Sequence, residues 1–251
     1  MSFLEAEEVT VRFGGLTAVD ALSLTADEGE IVGLIGPNGA GKTTFFGAVS
    51  GLVPMASGAV RIAGADVTGW PAHRRARAGV ARTFQKLEVF GSMTVRENLE
   101  YATEAATLGE RPWRLFSPGR RGTSEADEVI SFLELGAVAD VQAGSLPIGT
   151  ARVVEFGRAL CARPRLLLLD EPSSGLDAAE TATFGAHVSR AVAERGVGVL
   201  LIEHDMSLVL SLCQRLSVLE FGQLIAAGPT DEVAASPEVR AAYLGEASAV
   251  G

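Results

Sequence analysis

Only two cysteines, Cys161 and Cys213, occur in the 251 residues, and they share no metal-ligand spacing. That excludes a disulfide framework and a cysteine-based metal site. Both sit in apolar, helix-like surroundings and are expected to be reduced core residues of a cytosolic protein. No apolar run approaches the roughly 20 residues that cross a bilayer, and no charged-then-apolar leader opens the chain. The expectation is a chain that neither spans a membrane nor carries a secretory signal. Basic charge is also short. With 21 Lys and Arg against 31 Asp and Glu, the net charge is −10, the wrong sign for a general nucleic-acid binder. The local run Arg74-Arg75-Ala76-Arg77 reads as a solvated face. No internal repeat or long low-complexity tract is present. Usage of 47% hydrophobic and 21% charged residues is that of an ordinary globular chain. Its length allows one domain with a subdomain, or two small ones.

What the chain does have is the stretch IVGLIGPNGAGKTT, residues 31–44. A short buried strand breaks into Gly36-Pro37-Asn38-Gly39-Ala40-Gly41-Lys42-Thr43, followed by Thr44, which satisfies G-x-x-x-x-G-K-[ST] at every required position. Gly36 and Gly41 open backbone angles closed to other residues, so successive N–H groups can converge on one anion. The positive end of the following helix adds to that cradle. Lys42 supplies a mobile charge for β- and γ-phosphates, and the Thr43 hydroxyl suits Mg²⁺.

Around this stretch, Leu4–Phe13 and Ala18–Ala26 read as two antiparallel strands joined at Gly14-Gly15, with Val9, Val11 and Phe13 on one side. On sequence alone Phe13 is better read as core than as a ring offered to a base. A helix over Phe45–Ser50 closes at Gly51 and Pro54, and Gly58–Ile62 reads as a strand before a turn at Gly64-Ala65-Asp66. Val80–Leu87 reads as a strand that carries Gln85 near its tip, where an amide can meet a metal or a water. Thr94 and Glu97 form a capping-box pattern at a helix start. From Tyr101 to Ser124 the chain reads as irregular, and Glu125–Leu135 as helical again. This middle third looks like a helical insert in an otherwise αβ chain.

Leu146-Pro147-Ile148-Gly149-Thr150 precedes a helix read as Ala151 to about Ala162, with Thr150 as its N-cap and Pro164 beyond its end. Arg165–Asp170 then reads as a buried parallel strand with two acids at its carboxyl end, where ligands of open α/β sheets bind. Asp170 suits the Mg²⁺ shell, and Glu171 is placed to orient and deprotonate an attacking water. Ser174-Gly175-Leu176-Asp177 reads as a tight turn. A further strand over Val197–Ile202 ends in Glu203-His204-Asp205, so His204 is a candidate γ-phosphate contact. Leu216–Phe221 and Leu224–Ala227 follow, then a helical tail to Tyr243.

In this order and spacing, GPNGAGKTT (36–44), Gln85, LPIGT (146–150), LLLLDEP (166–172), SGLD (174–177) and His204 resemble the ATP-binding subunits of ABC transporters along essentially the whole chain. The resemblance implies an α/β fold: a P-loop NTPase, RecA-like core with an antiparallel β subdomain (1–87 and 163–251) and an inserted helical subdomain (88–162). It also implies ATP and Mg²⁺ as ligands and a head-to-tail homodimer, or a heterodimer with a sister subunit. In that dimer residues 146–150 and Asp177 would face the partner's nucleotide. Phe13 would stack on adenine, and Gln85 would sense Mg²⁺ and water beside transmembrane permease subunits. The setting would be the cytoplasmic face of the membrane, with a solute-binding protein in the complex and no nucleic acid. RFGGLTAVD (12–20), ARTFQ (81–85), LLIEHDM (200–206) and AAYLGEA (241–247) resemble the branch that powers branched-chain amino acid uptake; subunits for urea or lipopolysaccharide export share several of these features.

One segment departs from the family. Its signature reads L-S-G-G-Q or a close variant, whereas Pro147 and Thr150 stand here in place of the second and last residues. The serine hydroxyl for a partner's γ-phosphate is missing, and Pro147 has no N–H. The expectation is that a homodimer turns over slowly, and that the intact signature of a sister subunit completes this chain's P-loop site while the opposite site stays impaired. Two rivals stay open: a soluble ABC ATPase acting outside transport, and a regulatory subunit with an impaired catalytic site.

Overall fold

The computed structural model describes residues 2–108 and 125–239. Two sheets carry the fold. The first contains β1 (Leu4–Phe13), β2 (Leu16–Ala26), β4 (Ser57–Ile62) and β5 (Ala65–Asp66) in the antiparallel order β2-β1-β4-β5. The second contains β3 (Ile31–Ile35), β6 (Val80–Arg82), β7 (Leu166–Asp170), β8 (Gly198–Ile202), β9 (Arg215–Glu220) and β10 (Gln223–Pro229). Its order is β10-β9-β3-β8-β7-β6, parallel throughout except for the β9–β10 hairpin. Every residue of β3, β7 and β8 is buried, which is why these strands read as unbroken apolar runs. Side chains alternate between two cores. Leu166 and Leu168 face the first sheet, together with Phe45 and Phe46 of α1 (Lys42–Ser50). Leu167 and Leu169 face the helices on the other side.

Those helices are α3 (Val95–Leu108), α4 (Glu125–Phe132), α5 (Ile148–Leu160), α6 (Ala178–Arg195) and α7 (Met206–Leu212); α2 (Ala72–Arg77) and α8 (Thr230–Ala235) are short. None of the described helices is long and apolar enough to cross a membrane. Cys161 and Cys213 are buried free thiols. Burial pushes them up to about 11 and about 12, far from the reactive thiolate.

Several readings need correction. Phe13 ends β1 opposite Leu16 at the hairpin turn, where no further strand covers it, and is 52% exposed rather than core. β6 stops at Arg82, the Thr83 N–H to Leu168 O bond being the last of its ladder, and Gln85 lies in the loop beyond. Residues 101–108 are not irregular but continue α3. Its start is fixed by the capping box, Thr94 N to Glu97 Oε2 at 2.7 Å and Glu97 N to Thr94 Oγ1 at 3.1 Å, and no Gly or Pro interrupts the run. The remainder of the irregular stretch (109–124) and the tail beyond residue 239 lie outside the described residues. Gly64 makes the expected turn, but Ala65 and Asp66 already pair with β4.

The basic run around residue 75 is not wholly solvated either. Arg75 is buried, and its guanidinium donates to Ala48 O and Val49 O at 2.8 Å each, closing the last turn of α1, and to Thr68 O and Trp70 O. Burial lowers its proton affinity, and carbonyl oxygens rather than carboxylates satisfy the fork. It thereby caps the helix that begins at Lys42. Arg75→Met strands these acceptors and is expected to cost about 1–3 kcal/mol in urea unfolding; an unchanged midpoint would reject the capping role.

Candidate active site

The glycine loop sits between β3 and α1 as the pattern requires. A Cβ at Gly36 (φ 142°) would lie 2.0 Å from Leu219 O, and one at Gly41 (φ 104°) would lie 2.3 Å from Ala18 O. The loop is thus wedged between β9 and the start of β2, and only glycine fits at those two points. Gly41 is also the N-cap of α1. It offers no side-chain cap, and the first turn carries no acid, so this helix end is left to an anion. Lys42 Nζ donates to Gly36 O (2.6 Å) and Pro37 O (2.8 Å), folding the charge back over the loop. Asn38, Gly39 and Ala40 form the crest, where Ala40 N donates to Pro37 O (3.2 Å) and Gly222 N donates to Ala40 O (2.9 Å). Thr44 follows Thr43 in the first turn of α1.

Parallel pairing of β3, β8 and β7 carries the acids to this edge. Thr43 Oγ1 lies 3.4 Å from Asp170 Oδ1. Asp170 is 1% exposed; burial pushes its carboxyl up, and the Arg82 guanidinium at 2.9 Å from Oδ2 opposes that shift. A hydroxyl and a buried carboxylate are hard oxygen donors of the kind Mg²⁺ takes.

Glu171 is held from both sides. Its Oε2 accepts from Gln85 Nε2 at 2.7 Å, and its Oε1 meets His204 Nε2 at 2.7 Å. Its backbone has φ 48°, a left-handed conformation unfavourable for a residue with a Cβ, and its N–H is fixed to Ile202 O at 2.9 Å. Three sequence-distant candidates, Gln85, Glu171 and His204, therefore form one cluster next to Asp170 and Thr43.

Residues 146–150 fold differently from the expectation. Pro147 (φ −54°, ψ 151°) is the N-cap of α5, and Ala151 N donates to Pro147 O at 3.0 Å, so Thr150 lies inside the first turn rather than capping it. A residue without an N–H loses nothing at that boundary. Leu146 is extended and half-buried, Ile148 is exposed, and Gly149 faces Glu180, whose Oε1 would be 2.5 Å from an added Cβ. This segment packs against the turn at 174–177 and the start of α6. Asp177 caps α6 in a reciprocal box with Glu180: Glu180 N donates to Asp177 Oδ1 at 2.8 Å, and Asp177 N donates to Glu180 Oε2 at 3.1 Å.

A family model described as ABC transporter matches residues 19–174. This chain belongs to the ABC transporter family. A second family model, described as Branched-chain amino acid ATP-binding cassette transporter, matches residues 223–249 of the cassette. The cassette is 40% identical to the high-affinity branched-chain amino acid transport ATP-binding protein BraF of Pseudomonas aeruginosa, over 97% of this chain and 98% of that protein. It is 36% identical to the lipopolysaccharide export system ATP-binding protein LptB of Haemophilus influenzae, over 98% of both. Among solved structures, an ATP-binding cassette of an ABC transporter in its ADP conformation superposes with a TM-score of 0.85 at 30% identity, covering 98% of this chain and 99% of that one. A nucleotide-free cassette gives 0.84 at 30% identity, covering 97% and 99%.

Sequence reading missed how the cassette supports its cluster. Arg152 and Glu155, one turn apart on α5, are both buried and paired at 3.0 Å. Arg152 Nη2 donates to Gln85 O (2.7 Å), and Glu155 Oε1 accepts from Glu88 N (3.0 Å). The Gln85 loop is thus stapled to the helix that begins at Pro147; the i, i+3 charge spacing was the available signal. Glu203, 2% exposed, accepts from Ser173 N (2.8 Å) and His204 N (2.9 Å), tying the loop after Glu171 to the histidine turn. Burial pushes the Glu155 carboxyl up, against the bonds from Glu88 and Arg152. Arg152→Met leaves that carboxyl buried and unpaired, and is expected to cost about 3–5 kcal/mol in denaturant unfolding, with much of the loss regained in the Arg152→Met/Glu155→Met double variant. A double variant less stable than either single one would refute the pairing.

Proposed function

We propose that this cassette binds and hydrolyses ATP to power a transporter that takes up branched-chain amino acids or a similar small polar solute. Transmembrane permease subunits would carry the solute, a solute-binding protein would complete the complex, and the cassette would sit peripherally on the cytoplasmic side of the membrane. The observation that carries the reading is the Glu171 carboxylate, held between Gln85 and His204 one residue past the buried Asp170 and beside the glycine loop.

In this reading the amides from Gly36 to Thr44 receive the phosphates, and Lys42 exchanges Gly36 O and Pro37 O for phosphate oxygens. Thr43 and Asp170, with the side-chain amide oxygen (Oε1) of Gln85, would hold Mg²⁺, which when bound neutralises charge on the phosphates. Glu171 accepts the proton of the attacking water as the water oxygen bonds in line to the γ-phosphorus and the bond from that phosphorus to the β–γ bridging oxygen breaks, leaving ADP and phosphate. Its bond from Gln85 Nε2 fixes the carboxylate for that task. His204 exchanges one partner for another, from Glu171 toward the γ-phosphoryl oxygens. Phe13, exposed at the end of the hairpin that runs past Gly41, offers a ring face for adenine.

The working unit is a head-to-tail dimer, with residues 146–150 and Asp177 addressed to the partner's nucleotide. Residues 88–162 act as a helical subdomain that moves against the core formed by 1–87 and 163–251. The Arg152 staple supports a joint motion of that subdomain with the Gln85 loop. Pro147 and Thr150 supply neither the serine hydroxyl nor the glutamine amide of the usual signature, which favours pairing with a sister subunit over a fast homodimer.

Glu171→Gln is expected to cut phosphate release at least about 100-fold while the ATP dissociation constant stays within about threefold; undiminished release would remove Glu171 from its role. For the signature, Pro147→Ser with Thr150→Gln is expected to raise homodimer turnover about tenfold, the size of one charge-assisted hydrogen bond. A wild-type homodimer that already matches the double variant would overturn the sister-subunit reading.

A further inference from the structure

We propose that Arg82 is a positioning residue that sets the rotation of the Asp170 carboxylate, directing Oδ1 to the Thr43 hydroxyl and the magnesium position. The inference rests on the nucleotide reading above. A carboxylate has two equivalent oxygens, and nothing intrinsic decides which one faces a cation. Here they are divided: Arg82 Nη2 holds Oδ2 at 2.9 Å, and Thr43 Oγ1 lies 3.4 Å from Oδ1.

Arg82 is itself fixed. It ends β6, paired in register with Leu168, two residues before Asp170 on the neighbouring strand. Its side chain is 9% exposed. Nη1 lies 3.2 Å from Ser50 Oγ, and Ser50 is tied in turn to Phe46 O at 2.7 Å and to Gly47 O at 3.2 Å. The guanidinium lies over the Phe46 and Phe84 rings at 5.7 and 5.1 Å. α1 is therefore bound to Asp170 at both ends: by Thr43 at its start and, through Arg82, by Ser50 at its last residue. A planar fork with two separate ends can do this; an ammonium cannot hold the same plane.

The experiment uses the full chain with Glu171→Gln, so that bound ATP persists. ATP affinity is measured calorimetrically in Mg²⁺ and in EDTA, and the dissociation constant in EDTA divided by that in Mg²⁺ is the readout. Arg82→Met is expected to lower that ratio about tenfold, with affinity in EDTA within about twofold; Arg82→Lys recovers part of the loss. An unchanged ratio in Arg82→Met, even with a lowered melting temperature, makes Arg82 a mere counter-charge and overturns the inference alone. Should Arg82→Met not fold, Ser50→Ala carries the test, with a smaller fall of about threefold expected and an unchanged ratio again overturning it. A Glu171→Gln parent that binds no ATP in either buffer removes the nucleotide reading, and this inference with it.

Discussion

The parallel alignment of β3, β8 and β7 is the constraint on which the site depends. Parallel strands end together, so the chain after each of them emerges at one edge of the sheet. At that edge Ile35 gives way to the glycine loop, Asp170 to Glu171, and Ile202 to Glu203 and His204. The same burial that makes the strands apolar makes their tips poor places for bare charge. Asp170, almost fully buried, needs Arg82, and Glu203 draws on backbone N–H groups of Ser173 and His204. The edge therefore sets two buried acids, Asp170 and Glu203, with their partners fixed in place, beside the more open Glu171.

Position on that edge is transmitted to the helical side by a short chain of contacts. Arg152 on α5 donates to the backbone carbonyl of Gln85, and the side chain of the same Gln85 donates to Glu171. A shift of α5 displaces the loop, and the loop displaces the amide that orients the acid. Glu171 meanwhile adopts a left-handed φ of 48°, which the bond from its N–H to Ile202 helps to hold. Strain at Glu171 and a stapled loop beside it give the ABC cassette a carboxylate whose aim depends on where its helical side sits.

The parts legible in the sequence were those with a strict local requirement. Gly36 and Gly41 announce themselves because no Cβ fits there. Asp170 and Glu171 do so because two acids close an apolar run, and Thr94 because its box partner lies three residues on. What was hidden came from tertiary pairing. The exposure of Phe13 depends on its place at the open end of the β1–β2 hairpin. Arg75 reads as one more solvated cation until α1 supplies its carbonyls. Arg82 reads as a strand residue until β7 brings Asp170 beside it. None of these partners lies within a helical or strand period of its residue, so no pattern along the chain could name it.

The departure at residues 146–150 can be reasoned through in the same terms. Gly149 suits this chain itself, since the Glu180 carboxylate occupies the space a side chain would take, and moving it gives up the bond from Asp177 N to Glu180 Oε2. Pro147 is compatible with the fold because an N-cap has no intrahelical use for its own N–H, and half-buried Thr150 takes a helical place that many residues would fill. The local fold thus favours glycine at the one family position retained in the middle of the segment, and sets no comparable preference at 147 and 150. Serine and glutamine at those two positions are not needed to build α5, so the local fold gives no reason for their absence here.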